Sequence, residues 1–268
     1  TIGLTHKLSD KSKLFLNHAI ASRAPNPSEL FSEGLHHAIA RIEIGDLRFK
    51  SEVGHKTSLT YEYLGKNLNF SINPFINNIE DFILIEPVEL VETIRGNFPS
   101  WEYRQTNAQL FGVDVDASLK INDLLSLNHQ LSIVKGYDKD RDLPLINMPP
   151  ISTKNEISYN NKNLNNLKIN LESEFVFAQN EYPDNNFEIF LPFTQTTELL
   201  DVSTPPDAYH LINLNSSIDF KVTENSSLAV GLRVTNLFNT SYRNYLNLLR
   251  FYSDDLGRNF LLNLKFNY

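Results

Sequence analysis

Apolar and polar residues alternate with a period of two along most of this chain, most cleanly toward the C-terminus. Leu228, Val230, Leu232 and Val234 interleave with Ala229, Gly231, Arg233 and Thr235, and Phe260, Leu262, Leu264, Phe266 and Tyr268 interleave with Asn263, Lys265 and Asn267. Earlier segments repeat the pattern. Leu167, Ile169, Leu171, Phe175 and Phe177 stand against Lys168, Asn170, Glu172 and Glu174; Phe111, Val113, Val115, Leu119 and Ile121 stand against Gly112, Asp114, Asp116, Ser118 and Lys120. A period of two puts each set on one face of a β-strand. Paired carboxylates on the second face make a dry core there costly, so that face meets water. The apolar face meets either a core or lipid, and alternation alone does not choose.

The connections discriminate better. Strands are predicted at roughly 1–9, 12–22, 47–63, 67–83, 104–121, 126–136, 151–161, 166–179, 208–221, 227–237 and 257–268, about eleven in all. The links between them alternate in length. Asp10-Lys11, Gly65-Lys66-Asn67, Asn122-Asp123, Asn161 to Asn165 and Thr223 to Ser226 are tight turns, whereas 23–46, 84–103, 137–150, 180–207 and 238–256 are long. Short turns on one rim and long loops on the other is the arrangement of an outer-membrane barrel; sandwich loops show no such parity. The predicted fold class is therefore all-β, an antiparallel transmembrane β-barrel segment. An odd strand count puts Thr1 at the long-loop rim, so the chain is expected to begin partway round a barrel.

Composition narrows this further. Hydrophobic residues at 41% and charged residues at 21% fit a folded chain. No run of about 18 apolar residues is present, which excludes a transmembrane helix and leaves barrel strands open. Thr1 to Lys13 holds no basic segment followed by an apolar stretch, so the chain is expected to be cytosolic or to lack its beginning. With no cysteine, thiol chemistry and disulfides are excluded. A net charge of −8 argues against a nucleic-acid partner. No G-x-S-x-G elbow, P-loop, dinucleotide fingerprint or H-E-x-x-H occurs, so no catalytic residues and no cofactor are expected, and the protein is not read as an enzyme.

Four stretches occur in a telling order. Arg23-Ala24-Pro25-Asn26-Pro27-Ser28-Glu29-Leu30-Phe31 comes first, then Gly45-Asp46-Leu47 with Glu52, then Tyr103-Arg104-Gln105-Thr106-Asn107-Ala108 with Gly112. The last and most specific is Val234-Thr235-Asn236-Leu237-Phe238-Asn239 with Tyr242, then Gly257-Arg258 and a terminal aromatic. Together they resemble the barrel of a TonB-dependent outer-membrane receptor, from the Arg-x-Pro-x-x-x-Glu-Leu-[Phe/Tyr] segment onward, with Asp46-Leu47 departing from the family's Asn-Pro. The resemblance implies that residues 1–268 are the C-terminal half of a barrel of about 22 strands. The N-terminal plug domain, the first half of the barrel and the segment contacting TonB would lie outside it. It also implies an outer-membrane location, a lipid surround, and uptake of a scarce nutrient such as an iron–siderophore, haem or zinc. Phe260, Leu262, Leu264, Phe266 and Tyr268 resemble the signal read by the barrel-assembly machinery. The rival readings are a passive outer-membrane channel or adhesin barrel, and a soluble β-rich binding domain.

For ligand contact, His36-His37 on the first long loop, with Glu33, is the nearest approach to a metal-ligand cluster, since imidazole and carboxylate suit zinc or haem iron. Adjacent histidines point apart in an extended chain, and which metal, if any, they hold is unknown. His55, His129 and His210 fall within strands and read as structural. Trp101, Tyr103, Tyr182, Phe193, Tyr242, Tyr245 and Phe251 near the long-loop rim suit an interfacial girdle or ligand-stacking loops.

Overall fold

The computed structural model describes residues 1–191 and 193–268. In chain order the strands are β1 (Ile2–Lys7), β2 (Ser12–Arg23), β3 (Glu33–His36), β4 (Arg41–Ile44), β5 (Glu52–Leu64), β6 (Leu68–Thr93), β7 (Gly96–Lys120) and β8 (Leu125–Asp138). There follow β9 (Leu143–Pro144), β10 (Ser152–Asn161), β11 (Leu167–Val176), β12 (Phe187–Leu191), β13 (Thr196–Leu200), β14 (Tyr209–Lys221), β15 (Ser227–Thr235) and β16 (Asn259–Asn267). One short helix, α1 (Pro27–Phe31), and a 3₁₀ turn at His37–Ile39 interrupt them. Eleven of these strands hydrogen-bond in the order β1-β2-β5-β6-β7-β8-β10-β11-β14-β15-β16, each antiparallel to the next. It is a meander in sequence order, and among the described residues no pairing joins β1 to β16. The sheet is therefore open.

Register decides what each face carries. Val115 stands opposite Ile72 and Leu131, Leu171 opposite Ile157 and Leu214, and Val230 opposite Ile218 and Leu264, so one face of the sheet is apolar across neighbouring strands. On the other face Asp116 stands opposite Ser71 and Gln130, and Glu172 opposite Glu156 and Asn213. Arg233 and Lys265 share that polar face through Asn215 and Ala229. Two adjoining cavities of about 410 and 520 Å³ are lined by polar-face side chains of β5 through β11, which makes this face the concave one. Hydrogen bonds cross it between strands, from Gln130 Nε2 to Asp116 (3.0 Å), Ser132 Oγ to Asp114 (2.9 Å) and Asn213 Nδ2 to Glu172 (2.9 Å).

The convex face keeps its apolar residues uncovered: Leu16, Ile72, Ile76, Leu171 and Leu262 are 45, 38, 40, 42 and 63% exposed. An apolar surface this continuous is intolerable for a soluble monomer and is what a lipid-facing band requires. Residues 8–11, 65–67, 121–124, 162–166 and 222–226 form short turns on one rim, where Asn165 and Asn166 adopt left-handed φ of 52 and 53°. Aromatics gather on the convex face beside these turns, with Tyr61 and Tyr63 against Phe70 and Phe266 against Tyr268. That matches an interfacial girdle.

Several connections on the opposite rim differ from expectation. Residues 84–103, predicted as a loop, continue β6 and β7 into a hairpin that turns at Ile94-Arg95, so these strands run 26 and 25 residues where their neighbours run 13 or 14. Pro87 lacks the N–H a ladder needs, and the register shifts there, between Pro87 and Glu89, to accommodate it. The loop predicted at 180–207 likewise carries its own two-stranded sheet, β12 with β13.

Candidate functional site

The long connections do not hang free; they fold together over one rim. In the first, Asn26 caps α1 by accepting from the Glu29 amide (3.1 Å), while Glu29 returns the bond to the Asn26 amide (2.8 Å). Arg23 holds this turn to the sheet, donating to Glu29 (3.0 Å) and to Glu52 (2.6 and 2.8 Å). Pro25 precedes the cap and Phe31, at the end of α1, is exposed. The chain then passes Gly45, where an added Cβ would lie 2.6 Å from the Glu29 carbonyl oxygen and 2.8 Å from the Leu30 carbonyl carbon. Only glycine permits that approach. It delivers β4 alongside β7 in parallel register, Ile42 opposite Ser100.

The third connection is locked to the β6–β7 hairpin by a charged network. Arg104 donates to Glu86 (2.5 and 2.9 Å) and to Asp138 (2.6 Å), Arg141 donates to Glu86 (3.0 Å), and Thr106 to Asp138 (2.5 Å). Asp138 is 1% exposed. Beside it buried apolar side chains cluster, Leu145 and Met148 of the connection against Leu84 and Ala108 of the hairpin.

The last connection starts from Asn236, whose φ is 51° and whose side chain accepts from the Thr240 amide and donates to the Thr240 carbonyl, both at 2.8 Å. Leu237 continues the ladder by donating to Ile212 (2.7 Å), and Asn239, with φ of 56°, accepts from the Arg258 amide (2.8 Å). An added Cβ on Gly257 would meet the Asn239 side chain at 2.8 Å, so Asn239, Gly257 and Arg258 pin the two ends of the loop together. Phe238 is exposed. These motif residues shape loops and touch no cavity described here.

Where the loops converge they enclose a cavity of about 380 Å³ that borrows walls from all five long connections, among them Arg41, Trp101, Asn147, Leu200, Arg250 and Phe251. Arg41 lies 4.6 Å above the Trp101 ring and is held by Glu43 at 2.6 Å. Arg250 lies 4.7 and 4.5 Å from the Tyr245 and Phe251 rings, and burial pushes its guanidinium below the ordinary arginine value. Trp101 and Tyr245, read from sequence as suiting an interfacial girdle or ligand-stacking loops, are each only 4% exposed and serve as the interior of this cap rather than as a girdle. Sequence reasoning did not single out Arg41 or Arg250 as a site, since no local spacing marks two arginines 209 positions apart.

His36 and His37 are not brought to a common point. His36 Nδ1 faces Glu43 at 3.5 Å, while His37 Nε2 meets Arg95 Nη1 at 3.0 Å on the tip of the β6–β7 hairpin. Glu33 pairs in register with Ile44, and among the described residues no three His, Asp or Glu side chains gather as a metal-ligand set. His129 and His210 bond across strands to Asn155 (2.7 Å) and Ser173 (2.8 Å). Phe260, Leu262, Leu264 and Phe266 lie on the exposed apolar face of β16, and Tyr268 follows its end.

Comparison with known proteins agrees with this architecture. Solved structures that the chain resembles include the copper transporter OprC (TM-score 0.74, 20% identity, 98% of this chain and 38% of that one). Two more are a mutant ferric enterobactin receptor, PfeA, from Pseudomonas aeruginosa (0.66, 16%, 99% and 39%) and the siderophore receptor PirA from Acinetobacter baumannii (0.65, 19%, 99% and 40%). The chain thus spans about two fifths of the length of these structures. At such identities the likeness concerns the fold. No curated protein matches the sequence. The family model described as TonB dependent receptor-like, beta-barrel, matches residues 1–237, and the chain belongs to that family.

Proposed function

We propose that this chain is the C-terminal half of the β-barrel of an outer-membrane receptor that imports a scarce nutrient as a metal chelate. The observation that carries the reading is the inverted sheet: apolar residues on the uncovered convex face, carboxylates and amides on the concave one, and long loops gathered over a single rim. In this reading the eleven strands are half of about 22, wrapped around an N-terminal plug domain that TonB pulls on. Lipid covers the convex face, and the β16 aromatics through Tyr268 engage the barrel-assembly machinery. The neighbours described as a copper transporter, a ferric enterobactin receptor and a siderophore receptor support a metal-bearing cargo. An iron–siderophore, haem or zinc fits this class.

Uptake by cells carrying the full-length receptor tests the reading. Accumulation of one such metal species should depend on the receptor and collapse when the inner-membrane proton gradient is dissipated. Uptake that survives dissipation would point to a passive channel instead, and recovery of the receptor in the soluble fraction would defeat the membrane placement. A direct metal contact at His36, His37 and Glu33 remains part of the proposal: His36→Ala with His37→Ala should weaken zinc or haem binding by the full-length receptor, and unchanged binding of both would remove it.

A further inference from the structure

The loop cap contains a buried cation without a counter-charge. Arg250 is 4% exposed; its Nη1 donates to the Tyr245 carbonyl (2.6 Å), its Nε has no partner, and among the described residues no carboxylate lies within ion-pair distance. The charge that bears on it is Arg41, of the same sign and already engaged by Glu43, while Asp201, which also lines the cavity, accepts from the Ser203 and Thr204 amides (3.1 and 2.9 Å) and forms no ion pair with Arg250. An unpaired buried charge is strongly unfavourable, and stacking on the Tyr245 and Phe251 rings offsets only part of that cost, so packing alone does not account for an arginine here. A second orphan borders the same space: Asn147 Oδ1 is buried and accepts no hydrogen bond. Around both, Trp101, Leu200 and Phe251 present apolar wall, and the cavity volume lies within the usual range for small-molecule sites.

We propose that this cavity binds an organic acid, its carboxylate on the Arg250 guanidinium, a neighbouring O–H or N–H donated to Asn147 Oδ1, and its apolar or aromatic body against Trp101 and Phe251. A carboxylate supplies the charge Arg250 lacks, and burial strengthens the charge-assisted bond. A bare metal ion is disfavoured, because two guanidiniums face the cavity. This deepens the receptor reading and rests on it in one respect: the long-loop rim is taken as the side the ligand approaches. It recasts recognition as acting on the organic part of the cargo.

The test uses the full-length receptor in detergent, benzoate as probe and its neutral amide, benzamide, as the matched control, with binding followed by calorimetry or saturation-transfer NMR. Benzoate should bind at least tenfold more tightly than benzamide. Arg250→Met should weaken benzoate at least tenfold while the thermal midpoint stays level or rises; Arg48→Gln, on an exposed loop position, should change nothing. Leu200→Trp, which fills the cavity with Arg250 intact, should also abolish binding and keeps the test decisive where Arg250→Met fails to fold. Equal affinity for the amide, full affinity in Arg250→Met, or undiminished binding in Leu200→Trp would overturn the proposal. Detergent binding needs neither TonB nor an energised membrane. A receptor that binds benzoate through Arg250 yet imports nothing would sink the transport reading alone; one that imports a chelate but ignores benzoate would sink only this one.

Discussion

The wall and the cap of this molecule follow opposite burial rules. In the wall, the strands of the eleven-stranded path leave leucines and phenylalanines uncovered and turn Asp114, Asp116, Glu172 and Lys154 inward across a wet concave face. In the cap, Trp101, Leu145, Tyr245 and Asp138 are at most 4% exposed, and Arg104 and Asp138 find each other at 2.6 Å, with Arg250 the charged exception. The difference follows from the solvent. On the proposed membrane placement, apolar side chains would gain nothing by leaving lipid, so the backbone ladder would hold the wall, whereas the loops would stand in water and must build a small core of their own.

Four tests break or sharpen this contrast. The largest effect is expected at mid-wall: Val115→Arg, between Ile72 and Leu131 on the convex face, should cost about 2–4 kcal/mol in lipid, while Ser118→Arg on the concave face stays within about 0.5. Equilibrium unfolding of the full-length receptor in bilayers reads both, and equal costs would refute the facial assignment. Next, Asp138→Ala strips Arg104 of one of its two carboxylates in the cap and should cost about 3 kcal/mol. Because the loss is local, faster hydrogen exchange around Leu145 and Met148 with an unchanged wall is the expected signature. Gly45→Ala forces α1 away from β4 and should cost about 1–2 kcal/mol, seen as easier protease nicking within 24–51.

The smallest effect is one of pH. Burial pushes the Asp201 carboxyl up, but hydrogen bonds from Thr204 and Ser203 outweigh it and hold the group below the ordinary aspartate value. A depressed carboxylate stabilises above its unfolded value and loses that stabilisation as pH falls through the folded one. The loop after β13 should therefore be equally protected at pH 7 and 5 and loosen only below about pH 4, the ordinary aspartate value. Loosening already at pH 6 would mean that another group controls it.

The wall was legible because its rule is local. Alternation at 228–235 or 260–268 and turn residues at 65–67 or 162–166 report a period and a break within a few positions, and each predicted strand has a counterpart in the eleven-stranded path. The β6–β7 extension was not legible. Phe82 to Val88 is a run without alternation and contains Pro87, both of which argue against a paired strand, and only the register shift beside Pro87 reconciles it with one. Girdle aromatics were misplaced for a related reason: Trp101 and Tyr245 look amphipathic in sequence, and what covers them arrives from 41 and 250.

By itself, then, the sequence determined the fold class, the positions of the wall strands and, where alternation is clean, which face is greasy, because each of those follows from spacing along the chain. The motifs around Arg23 and Asn236 marked where loops are anchored, through short-range caps and left-handed turns. Only the tertiary structure decided what the loops enclose. Whether a guanidinium is compensated depends on every carboxylate that folding brings near it, and for Arg250 folding brings Arg41 and two aromatic rings, while Asp201 across the same cavity is turned to its own loop amides.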